Sequence, residues 1–161
     1  MTAKRFVAIV VALVCLSLAV WLLWPKKPLD DEAMIREAVA DACEQAGKRD
    51  VSGILEHVSD SYRGETGDKR ELKGYLLGYL LRSGIVAAVP ARIDVQVKGE
   101  RAQVVIVVLL ARTPAKTAAQ VGPDQLIGSH RVEAEFAREA PKIWRALSAT
   151  WRDATPQDLL P

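Results

Sequence analysis

The sequence predicts an α+β domain that follows one long apolar helix. An uncharged apolar run covers Phe6–Trp24. Three segments with helical periodicity lie between residues 30 and 82, and segments with the alternation of strands continue to residue 151. Helices followed by strands are typical of a domain in which the helices cover one face of an antiparallel sheet. We therefore expect three N-terminal helices packed on a curved antiparallel sheet of about four strands.

The apolar run Phe6–Trp24 is interpreted as a transmembrane anchor. A helix of this length reaches about 28 Å, close to the hydrocarbon thickness of a bilayer. The run ends in Trp-Leu-Leu-Trp-Pro, whereas a signal peptidase needs small residues at its cleavage site. Trp21 and Trp24 also suit the interface between lipid and water. The lipid bilayer is therefore an expected partner through this segment.

The flanks of the anchor indicate its orientation. Two basic residues lie on each side, so the comparison of positive charge is balanced. A short tail before a much larger part favours a tail in the cytoplasm. The expected protein is single-pass in the inner (cytoplasmic) membrane, with its domain outside the cytoplasm, in the periplasm of a Gram-negative cell. The predicted organisation is a cytoplasmic tail at 1–5, an anchor at 6–24, a linker at 25–30, a domain at 31–152 and a flexible tail at 153–161.

The charge balance after the anchor argues against a nucleic-acid partner. Four of the 22 basic residues flank the anchor, and the remaining 18 compare with 20 acidic residues. A nucleic-acid-binding domain usually carries a basic surplus or a basic stripe. Neither is present, so no nucleic-acid partner is predicted.

The first two domain helices are predicted by apolar stripes. The first, about Asp30–Lys48, places Cys43 on its apolar face as a buried thiol, and Gly47 suits its end. A second, shorter helix follows Asp50.

The third helix, roughly Lys69–Arg82, opens with a capping box of Asp68 and Glu71. Its middle repeats Gly-Tyr-Leu-Leu twice and leaves little polar surface, so we expect a largely buried helix. A glycine in a helix interior costs about 1 kcal/mol relative to alanine. Gly78 therefore indicates close packing against another backbone.

Four segments carry strand patterns: Ile93–Val97, Ala102–Leu110, Arg131–Arg138 and Lys142–Trp151. A 17-residue connection over 113–129 separates the second from the third. The second segment is apolar on both faces, although an antiparallel sheet usually leaves one face in water. The helices would cover one face. A second copy of the chain, or a partner in a membrane complex, is the hypothesis for the other.

The domain resembles the nuclear transport factor 2-like superfamily, which includes the SnoaL-like and ketosteroid isomerase-like proteins. The resemblance covers about Asp31–Trp151. It rests on the first two helices, on SDSYRG before the capped helix DKRELKGYL, and on the hairpin VEAEFAREAPKIWRALSATW. It implies a cone-shaped, cystatin-like fold, in which a bent sheet is wrapped by three helices around a pocket. It also implies a dimer through the open sheet face, as in many members.

Enzymes of this superfamily hold an Asp, alone or with His or Tyr, inside the cone. No such set aligns with this chain. Glu133 and Glu135 alternate with the apolar residues of their strand, so they are expected on the outer face. No catalytic residue is therefore assigned.

Six residues are candidates for lining the pocket: Tyr62, Tyr75, Tyr79, Arg82, His130 and Trp144. Tyr75, Tyr79 and Arg82 share one helix face, where two phenols and a cation would suit an anionic or aromatic ligand. The alternative is an aromatic core stripe with Arg82 at its edge. His57 and His130 are the only histidines and show no metal-ligand spacing, so no metal or cofactor is predicted.

These observations lead to two functional hypotheses. The first is a membrane-tethered, non-enzymatic binding or scaffolding module that presents the cone outside the cytoplasm. The second is a small-molecule enzyme of the isomerase or dehydratase type, or a carrier of a lipophilic ligand, that uses the pocket. An enzyme needs an ionisable group inside the cone, so the chemistry of the pocket walls discriminates between them.

Overall fold

The computed structural model describes residues 30–159 of the chain. The predicted span at Phe6–Trp24 lies outside these residues. Between residues 30 and 159, the helices lack the length and apolar character needed to cross a membrane. The chain from Asp31 onward forms one compact unit.

The domain consists of three helices, a small hairpin and a four-stranded sheet. The helices are α1 (Asp31–Lys48), α2 (Val51–Glu56) and α3 (Lys69–Arg82); the hairpin joins β1 (Arg63–Gly64) to β2 (Gly67–Asp68); and the long strands are β3 (Ala87–Lys98), β4 (Arg101–Ala111), β5 (Leu126–Ala140) and β6 (Ile143–Asp153). The long strands pair antiparallel in the order β3-β4-β5-β6. The predicted α+β class, with helices and a curved antiparallel sheet, is confirmed.

The main core lies between α1 and the inner face of the sheet. Ile35 and Val39 of α1 pack there against strand residues that include Val104, Ala134 and Phe136. Successive residues of a strand point to opposite faces, so Glu133 and Glu135 lie on the outer face, as predicted. Glu135 forms an ion pair there with Arg101.

Asp31 fixes the start of α1 to the β5–β6 hairpin. Its carboxylate accepts a hydrogen bond from Trp144 Nε1 at 3.2 Å and forms an ion pair with Arg138. The Arg138 guanidinium also lies over the Trp144 ring, 5.0 Å from its centroid. A carboxylate in the first turn of a helix is further favoured by the helix dipole. Trp144 is thus a buried core residue that anchors a helix.

The helix α1 ends at Lys48, as predicted, but Gly47 is not the residue that ends it. The left-handed conformation after the helix is adopted by Arg49, with φ of 59°. Gly47 instead lies against the start of β3, where a Cβ would be 3.1 Å from the carbonyl oxygen of Val86 and 3.4 Å from Ala87 Cα. The absent side chain therefore allows close approach of helix and strand rather than termination of the helix.

The segment before α3 contains the β1–β2 hairpin. Asp68 caps α3 by accepting hydrogen bonds from the backbone N–H groups of Arg70 and Glu71 at 2.9 and 3.0 Å. The Glu71 carboxylate accepts in return from the Asp68 N–H at 2.9 Å, so the predicted capping box is confirmed. Gly67 has a φ of 99°, and a side chain there would collide with the Glu71 carboxylate.

The expectation that α3 is largely buried is wrong. Leu72 and Leu80 are its buried residues, whereas Leu77 is 42% exposed and Leu81 is 71% exposed. The expected close backbone packing at Gly78 is also absent, since a Cβ built there would meet no heavy atom within 4 Å in the described chain apart from its immediate neighbours and the helix's own backbone. One side of α3 packs on the cone, and no element between residues 30 and 159 covers the other.

The long connection before β5 accounts for part of the two-sided apolar pattern of β4. It runs from residue 112 to 125 and contains two short 3-10 turns. Ala115 and Val121 from this connection pack against Ala87, Val89 and Ala111 at one end of the outer sheet face. The chain thus covers that end itself. Farther along β4, Val105 and Leu109 are only half-buried.

The segment predicted as a flexible tail at 153–161 begins within β6 and then forms a 3-10 turn over Pro156–Leu159. Asp158 is 8% exposed and accepts hydrogen bonds from Arg152 at 2.8 and 3.0 Å and from the Thr155 N–H at 2.8 Å. Arg131 adds an ion pair at 3.2 Å. The Arg152 guanidinium holds the pKa of the Asp158 carboxyl well below its usual range. Cationic partners on two strands thus fix the turn.

Gly47 and Gly78 provide a matched test of this packing. Gly78→Ala should raise the free energy of unfolding by up to about 1 kcal/mol, because alanine is the better helix former and the added methyl meets open space. Gly47→Ala should stabilise less or destabilise, because its methyl meets the backbone before β3. Equal stabilisation of both variants in urea unfolding would contradict the close contact at Gly47.

Candidate functional site

A cavity of about 610 Å³ lies between the three helices and the inner face of the sheet. Its walls are mostly apolar. α1 contributes small side chains four residues apart, and the sheet contributes four further alanines: Ala38, Ala42, Ala46, Ala88, Ala134, Ala146 and Ala149. Small residues on both walls leave space that larger side chains would fill. The composition of the facing surfaces therefore explains why the cone is hollow.

Tyr62 lines the cavity with its ring rather than with its hydroxyl. The residue is 1% exposed. Its Oη lies beneath the β1–β2 hairpin, 2.0 Å from where a Cβ of Gly64 would be. Only glycine leaves room for the hydroxyl at this position. Tyr62 is thus a wall of the cavity, and its polar atom faces the hairpin.

An aromatic cluster lies at the opening of the cavity. Tyr75 stacks on Tyr79, with ring centroids 6.0 Å apart and an interplanar angle of 7°. Trp151 of β6 contacts the other side, with its centroid 5.3 Å from that of Tyr75. Such contacts are worth about 0.5–1.5 kcal/mol beyond burial. All three rings line the cavity.

His130 is the polar centre of this opening. Its Nε2 lies 3.2 Å from the Tyr79 hydroxyl. Its buried Nδ1 lies 3.2 Å from Asp153 Oδ1, without the alignment of a hydrogen bond. The Asp153 side chain is 93% exposed, which places this end of the cluster at the solvent. Burial raises the pKa of the Tyr79 phenol, and the charges of Tyr75 and Asp153 raise it further.

A second histidine lines the cavity from the helical side. His57 follows α2, and its Nε2 lies 2.6 Å from Asp41 Oδ2 of α1. Gln45 donates a further hydrogen bond to Asp41 at 3.1 Å. The hydrogen bond with His57 is the largest cause of a lowered pKa at Asp41. The Asp41 carboxylate is thus ionised at neutral pH and orients the imidazole.

Cys43 lies on the apolar face of α1, as predicted, where its side chain is partly buried and borders the cavity. Burial raises its pKa to about 12. A thiol in these surroundings is protonated at neutral pH and behaves as a small apolar side chain.

The structure brings four of the six predicted candidates together. Tyr62, Tyr75, Tyr79 and His130 line the cavity. Arg82 instead borders a separate groove on the outer side of α3, formed with Gly74, Gly78 and Ser83. Trp144 lies in the core and binds Asp31, outside the cavity lining.

Sequence reasoning missed His57, Trp151 and Asp153 as cavity residues. His57 follows a helix of only six residues, so no periodicity assigned it to a face. The pattern ends the last strand at Trp151, whereas β6 extends to Asp153. The alternation of Arg131 to Phe136, continued backwards, places His130 on the inner face with Val132. The described residues contain no cluster of three or more potential metal ligands.

Comparisons with known proteins establish the fold alone. No protein-family model matches the chain, and no curated protein matches it. Among solved structures, a cystatin-like protein of unknown function from Nostoc punctiforme is similar at a TM-score of 0.61, with 18% identity over 81% of this chain and 96% of that one. A nuclear transport factor 2-like protein with a cystatin-like fold from Novosphingobium aromaticivorans gives 0.59, with 18% identity over 91% and 95%. A candidate ketosteroid isomerase from Shewanella frigidimarina gives 0.54, with 8% identity over 72% and 92%. The chain thus has the nuclear transport factor 2-like fold that its sequence resembles.

The environment of Cys43 predicts an unreactive thiol. In a Cys15→Ser chain, alkylation by iodoacetamide at pH 8 should be about three orders of magnitude slower than in the denatured chain, because the thiolate fraction falls by that amount when the pKa rises to about 12. Intact-mass measurement over time gives both rates. Native and denatured rates of similar size would contradict the buried position.

Proposed function

We propose that the chain is a membrane-tethered module that binds an apolar small molecule in its cone without transforming it. The observation that carries this proposal is a cavity of about 610 Å³ with apolar walls and polar groups gathered at the opening. Small-molecule pockets usually measure about 300–1,000 Å³ and combine apolar walls with a few polar groups that orient the ligand. The cavity has this size and this composition.

The polar groups indicate how the ligand is oriented. The apolar end would lie between α1 and the sheet, against Cys43 and the alanines. The polar end would lie near the Tyr79 hydroxyl and His130, where an oxygen or nitrogen of the ligand finds a hydrogen-bond partner. The expected class is therefore an amphiphile with a compact apolar body and one polar end.

The sequence supplies the membrane part of the proposal. The run Phe6–Trp24 is long enough for a transmembrane anchor, and the domain would lie in the periplasm next to the inner membrane. A scaffolding role would use the outer sheet face, where Val105 and Leu109 are half-buried and suit contact with a second copy or with a partner in a membrane complex.

A pair of alanine substitutions on α1 tests ligand binding. In the domain expressed from Pro28, Ala42→Phe should fill the cavity and weaken binding of the fluorescent probe N-phenylnaphthylamine by at least ~10-fold, which corresponds to ~1.4 kcal/mol. Ala40→Phe is the control, because Ala40 is exposed on the other side of the same helix. Fluorescence titration gives both affinities. Equal binding by the two variants, both folded by circular dichroism, would contradict binding in the cone.

A second function, catalysis of the isomerase or dehydratase type, is favoured by the Tyr79–His130–Asp153 arrangement. An imidazole between a phenol and a carboxylate is able to move a proton at the ligand. The test follows exchange of the carbon-bound hydrogens of a cyclic β,γ-unsaturated ketone with D₂O. With a non-enzymatic module, this exchange should be no faster than in buffer alone. An enzyme should accelerate deuterium uptake, measured by mass spectrometry, and His130→Gln should abolish the acceleration. Acceleration would replace the binding-only proposal.

A further inference from the structure

The outer side of α3 is an apolar surface with a basic margin. Six residues share this side at the 100° spacing of a helix, and together they define the α3 outer face: Arg70, Lys73, Gly74, Leu77, Gly78 and Leu81. Leu81, at 71% exposure, is the most exposed large hydrophobic side chain between residues 30 and 159. Val86 adds a further side chain, 40% exposed, just beyond the end of the helix.

The charge of this surface is positive. Arg70 and Lys73 are exposed, and Arg82 follows at the C-terminal end of the helix. Within the described chain, none of the three forms an ion pair. The nearest acidic groups of the helix, Asp68 and Glu71, lie at its N-terminal end, where they accept hydrogen bonds from backbone N–H groups in the capping box. Leucines flanked by cations are typical of helices that lie at an anionic lipid interface.

The position of the domain in the sequence also supports a lipid surface as the partner of the α3 outer face. Only residues 25–30 separate the predicted span from α1. Six residues reach at most ~20 Å when fully extended, which keeps the domain near the bilayer. A second copy is a poorer occupant, because two α3 outer faces would bring their cations together.

We propose that the α3 outer face docks on the surface of an anionic bilayer. Leu77 and Leu81 enter the interface between headgroups and acyl chains, and Arg70, Lys73 and Arg82 contact lipid phosphates. Tyr75 and Tyr79 border both the groove on this side of α3 and the cavity. Docking therefore brings the opening of the cone next to the lipid. The inference rests on the membrane tether of the proposed function and goes beyond the proposed ligand binding, on which it does not depend.

Depth measurement in vesicles tests the docking. The full chain, with Cys15→Ser and Cys43→Ala, carries Leu81→Cys labelled with bimane. It is reconstituted in phosphatidylcholine vesicles with or without 30% phosphatidylglycerol. Brominated acyl chains should quench this label in the anionic vesicles, with a weaker effect in pure phosphatidylcholine. Thr150→Cys is the matched control, since Thr150 is exposed and pairs with Glu133 on the outer sheet face.

Charge reversal provides the second arm. Arg70→Glu with Lys73→Glu should remove the extra quenching at position 81 in anionic vesicles and leave position 150 unchanged. Circular dichroism confirms that the labelled chains fold. Equal quenching at positions 81 and 150 overturns the proposal. A second outcome also overturns the proposal: two unlabelled copies of the Leu81→Cys chain form a disulfide cross-link, and the labelled chain shows no lipid quenching. That outcome would assign the face to a dimer. The Ala42→Phe titration reads ligand binding separately.

Discussion

The structure depends on the way in which α1 is held at both ends. At its start, Asp31 binds Trp144 and Arg138 of the β5–β6 hairpin. At its end, Gly47 allows the helix backbone to approach the start of β3. These two attachments lie at opposite edges of the sheet, because β3 and β6 are its outer strands. The helix therefore spans the sheet. Between these two attachments, the small alanine side chains of α1 do not fill the space above the sheet. The helix and the sheet therefore enclose the cavity.

Few polar groups interrupt this apolar interior, and each of its two histidines lies next to a carboxylate. His57 is oriented by Asp41, and His130 lies between Tyr79 and Asp153. Burying an unpaired polar group is costly. His57 avoids this cost through its hydrogen bond with Asp41, whereas Nδ1 of His130 lies near the Asp153 carboxylate without a hydrogen bond. The two pairs differ in setting. The Asp41–His57 pair is part of a helix–helix contact with Gln45, whereas the pair at His130 belongs to the aromatic opening and has the exposed carboxylate of Asp153.

The fold was largely predictable from local patterns, whereas the site was predictable only in part. Helical periodicity, the capping box and the strand alternation each depend on neighbouring residues, and they placed the helices and the four strands. The cavity depends on which side chains meet across the core. Trp144 has a large ring that suits a pocket. Its indole N–H instead donates a hydrogen bond to Asp31, a carboxylate that is distant in the sequence. The apolar composition of the Gly-Tyr-Leu-Leu repeat predicts burial. Composition alone does not show that one side of α3 lacks a neighbour in the described chain.

The ion pairs of Asp158 join the 3-10 turn at Pro156–Leu159 to the two strands that border the cavity. Arg152, which binds Asp158, is followed directly by Asp153, which contacts His130 at the opening of the cavity. A change at Asp158 therefore acts on the strand that shapes the opening. A shortened version of the domain should retain Asp158, because its loss would leave Arg152 without this partner directly beside Asp153.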